Sequence, residues 1–309
     1  MTMNDTDLTG RTAVVTGAGA GLGRSEALAL AAGGANVVVN DLGDGADGVV
    51  AEIEAAGGRA IAIRGDVGRW ALGQELVGAA VDAFGSLDIV VNNAGITRDA
   101  MLFNMTEQGW DDVIRVHLKG HAALSQAAAA HWRAASKSAG GPVYGRIVNT
   151  TSEAFLLGGP GQANYAAAKS GIVALTLAAA RGLSRYGVTA NAIAPRARTD
   201  MTAQVFEADP RGTGLDILAP ERVATFVRYL ASPGAAAVNG QVFVVYGDMV
   251  ALMAPPTVER TFVAADGVFT ADELDDRVST YFAERGAART FAADGVAALD
   301  TTGVGTTAG

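Results

Sequence analysis

The chain has 309 residues, half of them hydrophobic and only 18% charged, which is the balance of one large or two small globular domains, not of a disordered chain. Its formal charge of −9 argues against nucleic acid and anionic membrane surfaces, where affinity rests on Lys and Arg facing phosphates. Cysteine is absent, which excludes disulfides, thiolate metal sites and thiol nucleophiles. The start, Met1-Thr2-Met3-Asn4-Asp5, lacks the basic region and apolar core of a signal peptide. The apolar stretch 171–180 is shorter than the ~20 residues that span a bilayer. A soluble, cytoplasmic protein with neither nucleic-acid nor membrane partners is expected.

Residues 12–16 form a short apolar run that leads directly into Gly17-Ala18-Gly19-Ala20-Gly21-Leu22-Gly23, and an Ala/Leu-rich helical segment follows to about residue 32. Strand, glycine turn and helix in that order can hold a pyrophosphate. Gly17, Gly19, Gly21 and Gly23 let the backbone approach it, and the helix start around Leu22 offers free N–H groups and a partial positive charge. The next strand, 36–40, is closed by Asp41, 18 residues beyond Gly23, near the ~20 expected for the acid that binds an adenosine ribose 2′-hydroxyl. Asp44 and Asp47 follow, and Arg24 is the one basic residue near the turn. A 2′-phosphate would meet uncompensated negative charge there, so NAD is expected over NADP.

The alternation continues with a helix at 49–56, a strand at 60–63 ending in Gly65-Asp66-Val67, a helix at 71–84 and a strand at 87–91 ending in Asn92-Asn93-Ala94-Gly95. Unalternating apolar strands between helices imply a parallel sheet covered on both faces. The expected fold is α/β, a Rossmann-type doubly wound parallel sheet of about seven strands with helices on both faces. A C-terminal helical extension follows, dividing the chain into 1–250 and 251–309.

The run 146–151 reads as a further strand and ends at Ser152. A Gly/Pro-rich loop then leads into a helix over 163–183, which places Tyr165 and Lys169 four apart on one face. A phenol with an ordinary pKa of about 10 is a poor base, and an ammonium one turn away favours its ionised form. Ser152, Tyr165 and Lys169 together form a donor, a proton carrier and a charge. A lone pair of this spacing is common on helix surfaces; its company here gives it weight.

A strand over 188–193 precedes Pro195-Arg196-Ala197-Arg198-Thr199-Asp200-Met201, and the polar segment to about 218 is long enough for a lid. A helix starts at Pro220, and a last strand covers 242–245. Beyond Pro255-Pro256 the capping-box pattern Thr270-Ala271-Asp272-Glu273 opens a helix whose stripe, Leu274, Val278, Tyr281 and Phe282, must be covered by its own domain or by a second subunit. The small, polar end 301–309 has the composition of a disordered tail.

The chain resembles the short-chain dehydrogenase/reductase family in Thr16-Gly17-Ala18-Gly19-Ala20-Gly21-Leu22-Gly23, Asn92-Asn93-Ala94-Gly95 and Tyr165-Ala166-Ala167-Ala168-Lys169, with Ser152 13 positions before Tyr165. The resemblance covers about residues 8–250. It implies that Tyr165 is the acid/base, that Ser152 holds the substrate oxygen, and that Lys169 binds the nicotinamide ribose. It further implies that Asp66 and Val67 contact adenine, that Asn93, Ala94, Gly95 and Pro195 line the cofactor, and that Thr199 holds the carboxamide. The family usually has Asn in the helix after the Asn-Asn-Ala-Gly motif, where this chain has His117. That histidine either takes over the proton relay through a ring nitrogen or satisfies a buried backbone group. His117 and His121 are four apart, but no third ligand is evident and no metal is expected.

Val116-His117-Leu118-Lys119-Gly120, Tyr144-Gly145-Arg146-Ile147-Val148, Gly161-Gln162-Ala163-Asn164-Tyr165 and Asn191-Ala192-Ile193-Ala194-Pro195 resemble the 3-hydroxyacyl-CoA dehydrogenase unit of the peroxisomal multifunctional enzyme type 2 and its stand-alone bacterial relatives. That resemblance implies an acyl-CoA or steroid-like substrate and a homodimer or homotetramer. Arg196, where the family often has Gly, and Arg198 would then meet a CoA phosphate or pair with Asp200, Glu207 or Asp209. Gly95-Ile96-Thr97-Arg98-Asp99 resembles NADPH-dependent 3-oxoacyl-carrier-protein reductases, the alternative reading, with a non-catalytic dinucleotide-binding regulator as another.

Overall fold

The computed structural model describes residues 5–199, 215–286, 289–297 and 299. Most of the segment expected to be a lid, residues 200–214 with Asp200, Glu207 and Asp209, and the terminal stretch 301–309 lie outside the described residues. The apolar runs and intervening helices become β1 (Thr12–Thr16), α1 (Gly21–Ala32), β2 (Asn36–Asp41), α2 (Gly45–Ala55), β3 (Ala60–Arg64), α3 (Trp70–Phe84), β4 (Ile89–Asn92), α4 (Glu107–Ile114), α5 (Gly120–Ala139) and β5 (Gly145–Thr150). They continue as α6 (Ala154–Leu157), α7 (Ala163–Leu183), β6 (Val188–Pro195), α8 (Pro220–Leu230), β7 (Val242–Tyr246), β8 (Met249–Leu252), α9 (Ala271–Leu274) and α10 (Thr280–Arg285).

One sheet runs in the order β3-β2-β1-β4-β5-β6-β7-β8. It is parallel throughout except for β8, which turns back antiparallel along β7. That is one strand more than the expected seven, because Gly247 takes a positive φ of 57° and lets the chain fold straight back from Tyr246 onto Met249. The residue-250 boundary therefore falls inside β8. The order reverses between β1 and β4, so the ends of these two strands open a crevice at the sheet's carboxyl edge.

Successive strand residues enter two separate cores, which is why the runs do not alternate with polar residues. Ala13, Val15, Val37, Val39 and Val91 pack beneath Leu30 of α1, Ile53 of α2 and Val227 of α8. Val14, Val38, Val90 and Ile147 face Leu76 of α3 and Leu124 and Trp132 of α5. Each large side chain so buried contributes about 1.5–3 kcal/mol. The Trp132 indole N–H donates to the Leu87 carbonyl at 2.7 Å, so its polar atom is satisfied. The stretch 163–186 is apolar and long enough by composition to cross a bilayer, which 171–180 alone does not suggest. In the fold it holds Tyr165 and the buried Lys169, and its Ile172 lies in the interior.

The extension is held by its own contacts. Thr270 and Glu273 close the capping box reciprocally, and the helix continues through a π-turn, Asp275–Ser279, into α10. Tyr281 packs edge-on against Phe262, 5.6 Å between ring centroids, and donates to Glu259 at 2.9 Å. Leu274 and Phe282 of the same stripe stay 42% and 47% exposed. The final described stretch returns to the main body: Val296 is buried with Ala194, Val244, Tyr246 and Met249, and Leu156, Ala293 and Leu299 pack around them.

Glu26 of α1 is fully buried, and among the described residues neither carboxyl oxygen has a hydrogen-bond partner. Burial pushes its pKa up to about 8 from the ordinary 4.5. Between those values the unfolded chain binds fewer protons than the folded one, so stability falls as pH rises. Glu26→Gln is expected to leave stability within about 1 kcal/mol of wild type at pH 5 and to raise it by about 4 kcal/mol at pH 8. Denaturant titrations at the two pH values measure this, and equal differences at both would contradict it.

Candidate active site

The turn between β1 and α1 is shaped by what its glycines lack. Gly17 and Gly21 take positive φ values of 61° and 54°. A Cβ on Gly17 would lie 2.7 Å from the Ala94 Cα, one on Gly19 would lie 2.9 Å from the Asp41 carboxyl, and one on Gly23 would run into the Gly17 carbonyl. The helix that follows has Ala20 at its N-cap, no side-chain cap and no acid in its first turn. A concave turn facing uncapped N–H groups of Gly21, Leu22 and Gly23 fits the pyrophosphate of a dinucleotide.

The end of β4 braces this cradle. The Asn93 amide donates to the carbonyls of Thr16 at 3.0 Å and Gly17 at 3.1 Å, while the Thr16 hydroxyl accepts from the N–H groups of Asn93 at 3.1 Å and Ala94 at 3.2 Å. Asn93 and Ala94, expected to line the cofactor, thus staple the two halves of the switch point. Thr199, beyond β6 and Pro195, lies over the glycine turn, its Cγ2 3.3 Å from a Cβ built on Gly21. Asp66 accepts from the Gly68 N–H at 2.8 Å and pairs with Arg115. Burial works to raise the Asp66 carboxyl, but these partners hold it below its usual range. Val67 packs beside it, its Cγ2 3.0 Å from a Cβ built on Gly120.

Asp41 closes the cradle, accepting from Gly19 N–H at 2.8 Å and Gly43 N–H at 3.1 Å. Arg24 is drawn away into a pair with Glu52. The linear sequence places no other base at this strand end, and here the fold corrects it. Parallel pairing of β2 with β3 makes Arg64 the register partner of Asp41. Its guanidinium is engaged by Asp44 and Asp47, so one cation stands among the three carboxylates of this edge and offsets their excess only in part.

Ser152 follows β5; its hydroxyl accepts from the Ala154 N–H at 3.2 Å and lies near enough to the Tyr165 phenol, on the first turn of α7, to draw that group's pKa down. Lys169, one turn on, is 2% exposed, and its Nζ donates to the Thr150 carbonyl at 2.7 Å. That Nζ stands 5.3 Å from the Tyr165 ring centroid. The three residues expected to act together are brought together. The electrostatics differ from expectation, however. Burial pushes the Tyr165 phenol up, the Ser152 hydrogen bond opposes this and Asp99 adds to it. Burial also brings Lys169 down to about 7, so the ammonium that was to acidify the phenol is itself close to losing its proton.

His117 occupies a π-turn, Arg115–Lys119, between α4 and α5. The extra residue in this turn re-aims the side chain inward, and the imidazole meets the Tyr165 ring edge-on, 5.2 Å between centroids at 89°. Its Nε2 lies 3.0 Å from Ile96 N and 2.7 Å from Ile96 O. Burial brings it down to about 3, with the Lys169 charge adding to the effect. Among the described residues Nδ1 has no partner, nor has Nε2 of the buried His121 one turn along. His117 therefore satisfies a backbone group, one of the two readings considered for it, and stands edge-on against Tyr165.

Other contributors escaped sequence reasoning. Asn164 accepts from the Tyr165 N–H at 2.8 Å and donates to the carbonyls of Arg98 and Gly109, both at 3.0 Å, seating the start of α7. A buried chain runs from Asn92 to Asn149 at 2.8 Å and on to Thr176 at 2.8 Å beneath the site. Arg196 pairs with Glu153 at 2.6 Å and Arg198 with Asp216 at 2.7 Å. Glu153 was not among the acids expected for Arg196. The cause is that β5 and β6 are parallel neighbours, so the residues just past their ends meet.

The family model for short chain dehydrogenases matches residues 11–210. The chain belongs to the short-chain dehydrogenase family. It is 56% identical over 301 residues to the hydroxyacyl-CoA dehydrogenase ChsB1 of Mycobacterium tuberculosis, covering 94% of this chain and 95% of that protein. It is 44% identical over 252 residues to a 3-oxoacyl-[acyl-carrier-protein] reductase of Synechocystis, covering 79% of this chain and 99% of that one. Among solved structures, a short chain dehydrogenase from Mycobacterium avium superposes with a TM-score of 0.81 at 44% identity, covering 89% of this chain and 96% of that one. The family binds a nicotinamide dinucleotide, the ligand class the cradle fits.

The imidazole leaves no room beside it. A Cβ on Gly95 would collide with the His117 Cε1, driving the ring toward Tyr165. Gly95→Ala in this short-chain dehydrogenase is expected to cut kcat by about 100-fold, and the same change on a His117→Ala background to cost much less. Steady-state rates of the two pairs test this; equal losses on both backgrounds would refute the contact.

Proposed function

We propose that the chain oxidises the secondary alcohol of a 3-hydroxyacyl-CoA, on a fatty or steroid side-chain thioester, with NAD. The observation that carries the reading is the Ser152–Tyr165–Lys169 set, standing at the sheet's switch point beside the glycine cradle. Support for the thioester comes from the M. tuberculosis hydroxyacyl-CoA dehydrogenase, whose similarity runs over 94% of the chain and so through the extension. The Synechocystis reductase matches over 79%, leaving the extension without a counterpart. NAD is supported by the Asp41 carboxyl at the cradle lip and by Arg24 and Arg64 each being engaged by carboxylates.

In this reading Ser152 donates to the substrate oxygen and Tyr165 takes the hydroxyl proton. The oxidised dinucleotide, when bound, supplies the hydride acceptor and a positive ring. Lys169 keeps two N–H donors beyond the one given to Thr150, enough to hold a ribose hydroxyl and to favour the phenolate. His117 stays neutral at physiological pH, and its Nδ1, without a partner among the described residues, is the ring nitrogen through which a proton relay would pass. Leu102 and Phe103, 71% and 80% exposed, and the Leu274/Phe282 stripe support a homodimer or homotetramer.

Tyr165→Phe is expected to lower kcat by at least about 1,000-fold while NADH affinity stays within about twofold; nucleotide fluorescence and initial rates read the two. Wild-type turnover in that variant would remove Tyr165 from the chemistry. Initial rates with NAD should exceed those with NADP, and Asp41→Ala should narrow the ratio by about tenfold. A preference for NADP in the wild type would overturn the role given to Asp41.

A further inference from the structure

Arg196 is the first residue past β6, and its environment is unusual for a guanidinium at the edge of a catalytic crevice. Nε and Nη2 form a two-pronged pair with Glu153 at 2.6 and 2.7 Å, each side chain being only 14% exposed. Nη2 also donates to the Val296 carbonyl at 2.7 Å, and Nη1 to the Leu299 carbonyl at 2.8 Å. Its plane lies 4.9 Å from the centroid of Tyr246, whose hydroxyl donates to the Leu299 carbonyl at 3.3 Å. All three nitrogens are thus committed, two of them to the main chain of a segment about a hundred residues away.

Glu153 immediately follows Ser152. The loop it begins carries a single four-residue turn, α6, and then Gly158 and Gly161 with positive φ of 59° and 86°. Such a loop holds the hydroxyl by one local bond, accepted from the Ala154 N–H at 3.2 Å, and needs anchoring from outside to keep its place. A second tie reaches it from the same tail, where the Ala293 N–H donates to the Leu156 carbonyl at 3.1 Å. Val296 anchors that tail in apolar surroundings between Tyr246 and Met249.

We propose that the tail, through residues 293–297 and Leu299, is a working part of the catalytic site. Arg196 is a positioning residue that fastens the tail to Glu153 and so holds the Ser152 hydroxyl in register with the Tyr165 phenol. A buried guanidinium needs every donor satisfied. Undocking the tail would strand two of its hydrogen bonds and loosen the pair with Glu153, while the glycine cradle, built on β1 and β4, would be left intact. The effect would fall on the chemical step and not on dinucleotide binding.

The kinetic part of the test rests on the activity proposed above; the exchange part does not. In the full-length chain, Arg196→Met, Val296→Asp and the double variant are compared with the wild type and with Phe291→Ala, a 90% exposed position on the same tail. Each single variant should lower kcat by about 10–100-fold with NADH affinity within about threefold, and the double should lose no more than the worse single, because both act through one contact. Peptide-resolved amide exchange should speed up across 152–158 in both singles and stay as in the wild type in Phe291→Ala. Losses that multiply in the double, a Val296→Asp enzyme with wild-type kcat, or unchanged exchange over 152–158 would each overturn the proposal. If the wild type oxidises no 3-hydroxyacyl-CoA, the substrate reading fails while exchange still decides the tail. If Val296→Asp does not fold, exchange in Arg196→Met at both 152–158 and 293–297 decides, and protection retained at either would count against it.

Discussion

The bond from the Lys169 ammonium to the Thr150 carbonyl is the contact on which the site's geometry turns. It ties the second turn of α7 to the end of β5, and so sets how far Tyr165 stands from Ser152. Thr151 adds to it from the same strand end, its hydroxyl donating to the Lys169 carbonyl at 2.8 Å. A buried ammonium is costly unless hydrogen-bonded. Here the cost is used, since the helix cannot slide along the sheet without stranding a charge.

That burial also sets the electrostatics. Water is excluded from the phenol and the amine alike, so burial drives both toward their neutral forms, the phenol up and Lys169 down to about 7. The two groups, close in proton affinity in water, are thereby driven apart, so the buried phenol holds its proton more tightly than the buried amine does. Ser152 tips the balance toward the phenolate and Asp99 tips it back. The neutral His117 ring, edge-on to the phenol, contributes shape and adds no further charge.

Whatever depends on short spacing was legible in the sequence. The glycine cradle, Asp41 at its strand end, and Ser152, Tyr165 and Lys169 were all readable, because one turn or one strand places such residues. A parallel sheet covered by helices on both faces followed from the alternation of elements. What was not legible depends on pairing between distant strands. Arg64 reaches Asp41 through the β2–β3 register, and Glu153 reaches Arg196 because β5 and β6 end side by side. The tail's contribution is made by main-chain carbonyls, which leave no trace in residue type. Strand β8 hung on one glycine turn, and the stretch from α4 to α5 reads as ordinary helix until its hydrogen bonds are seen.

That last stretch has an implication for how the family's chains can vary in length. A π-turn holds one residue more than the helix around it would, and each residue advances an α-helix by about 100°. Deleting a residue between Arg115 and Lys119 would return the stretch to regular winding with α4 and α5 still in phase, because the extra residue is absorbed within the turn itself. Gly109 would keep its place against Asn164, while the side chains inside the turn, His117 among them, would be re-aimed. The helix could shed that residue and stay whole; what it would surrender is the ring set against Tyr165.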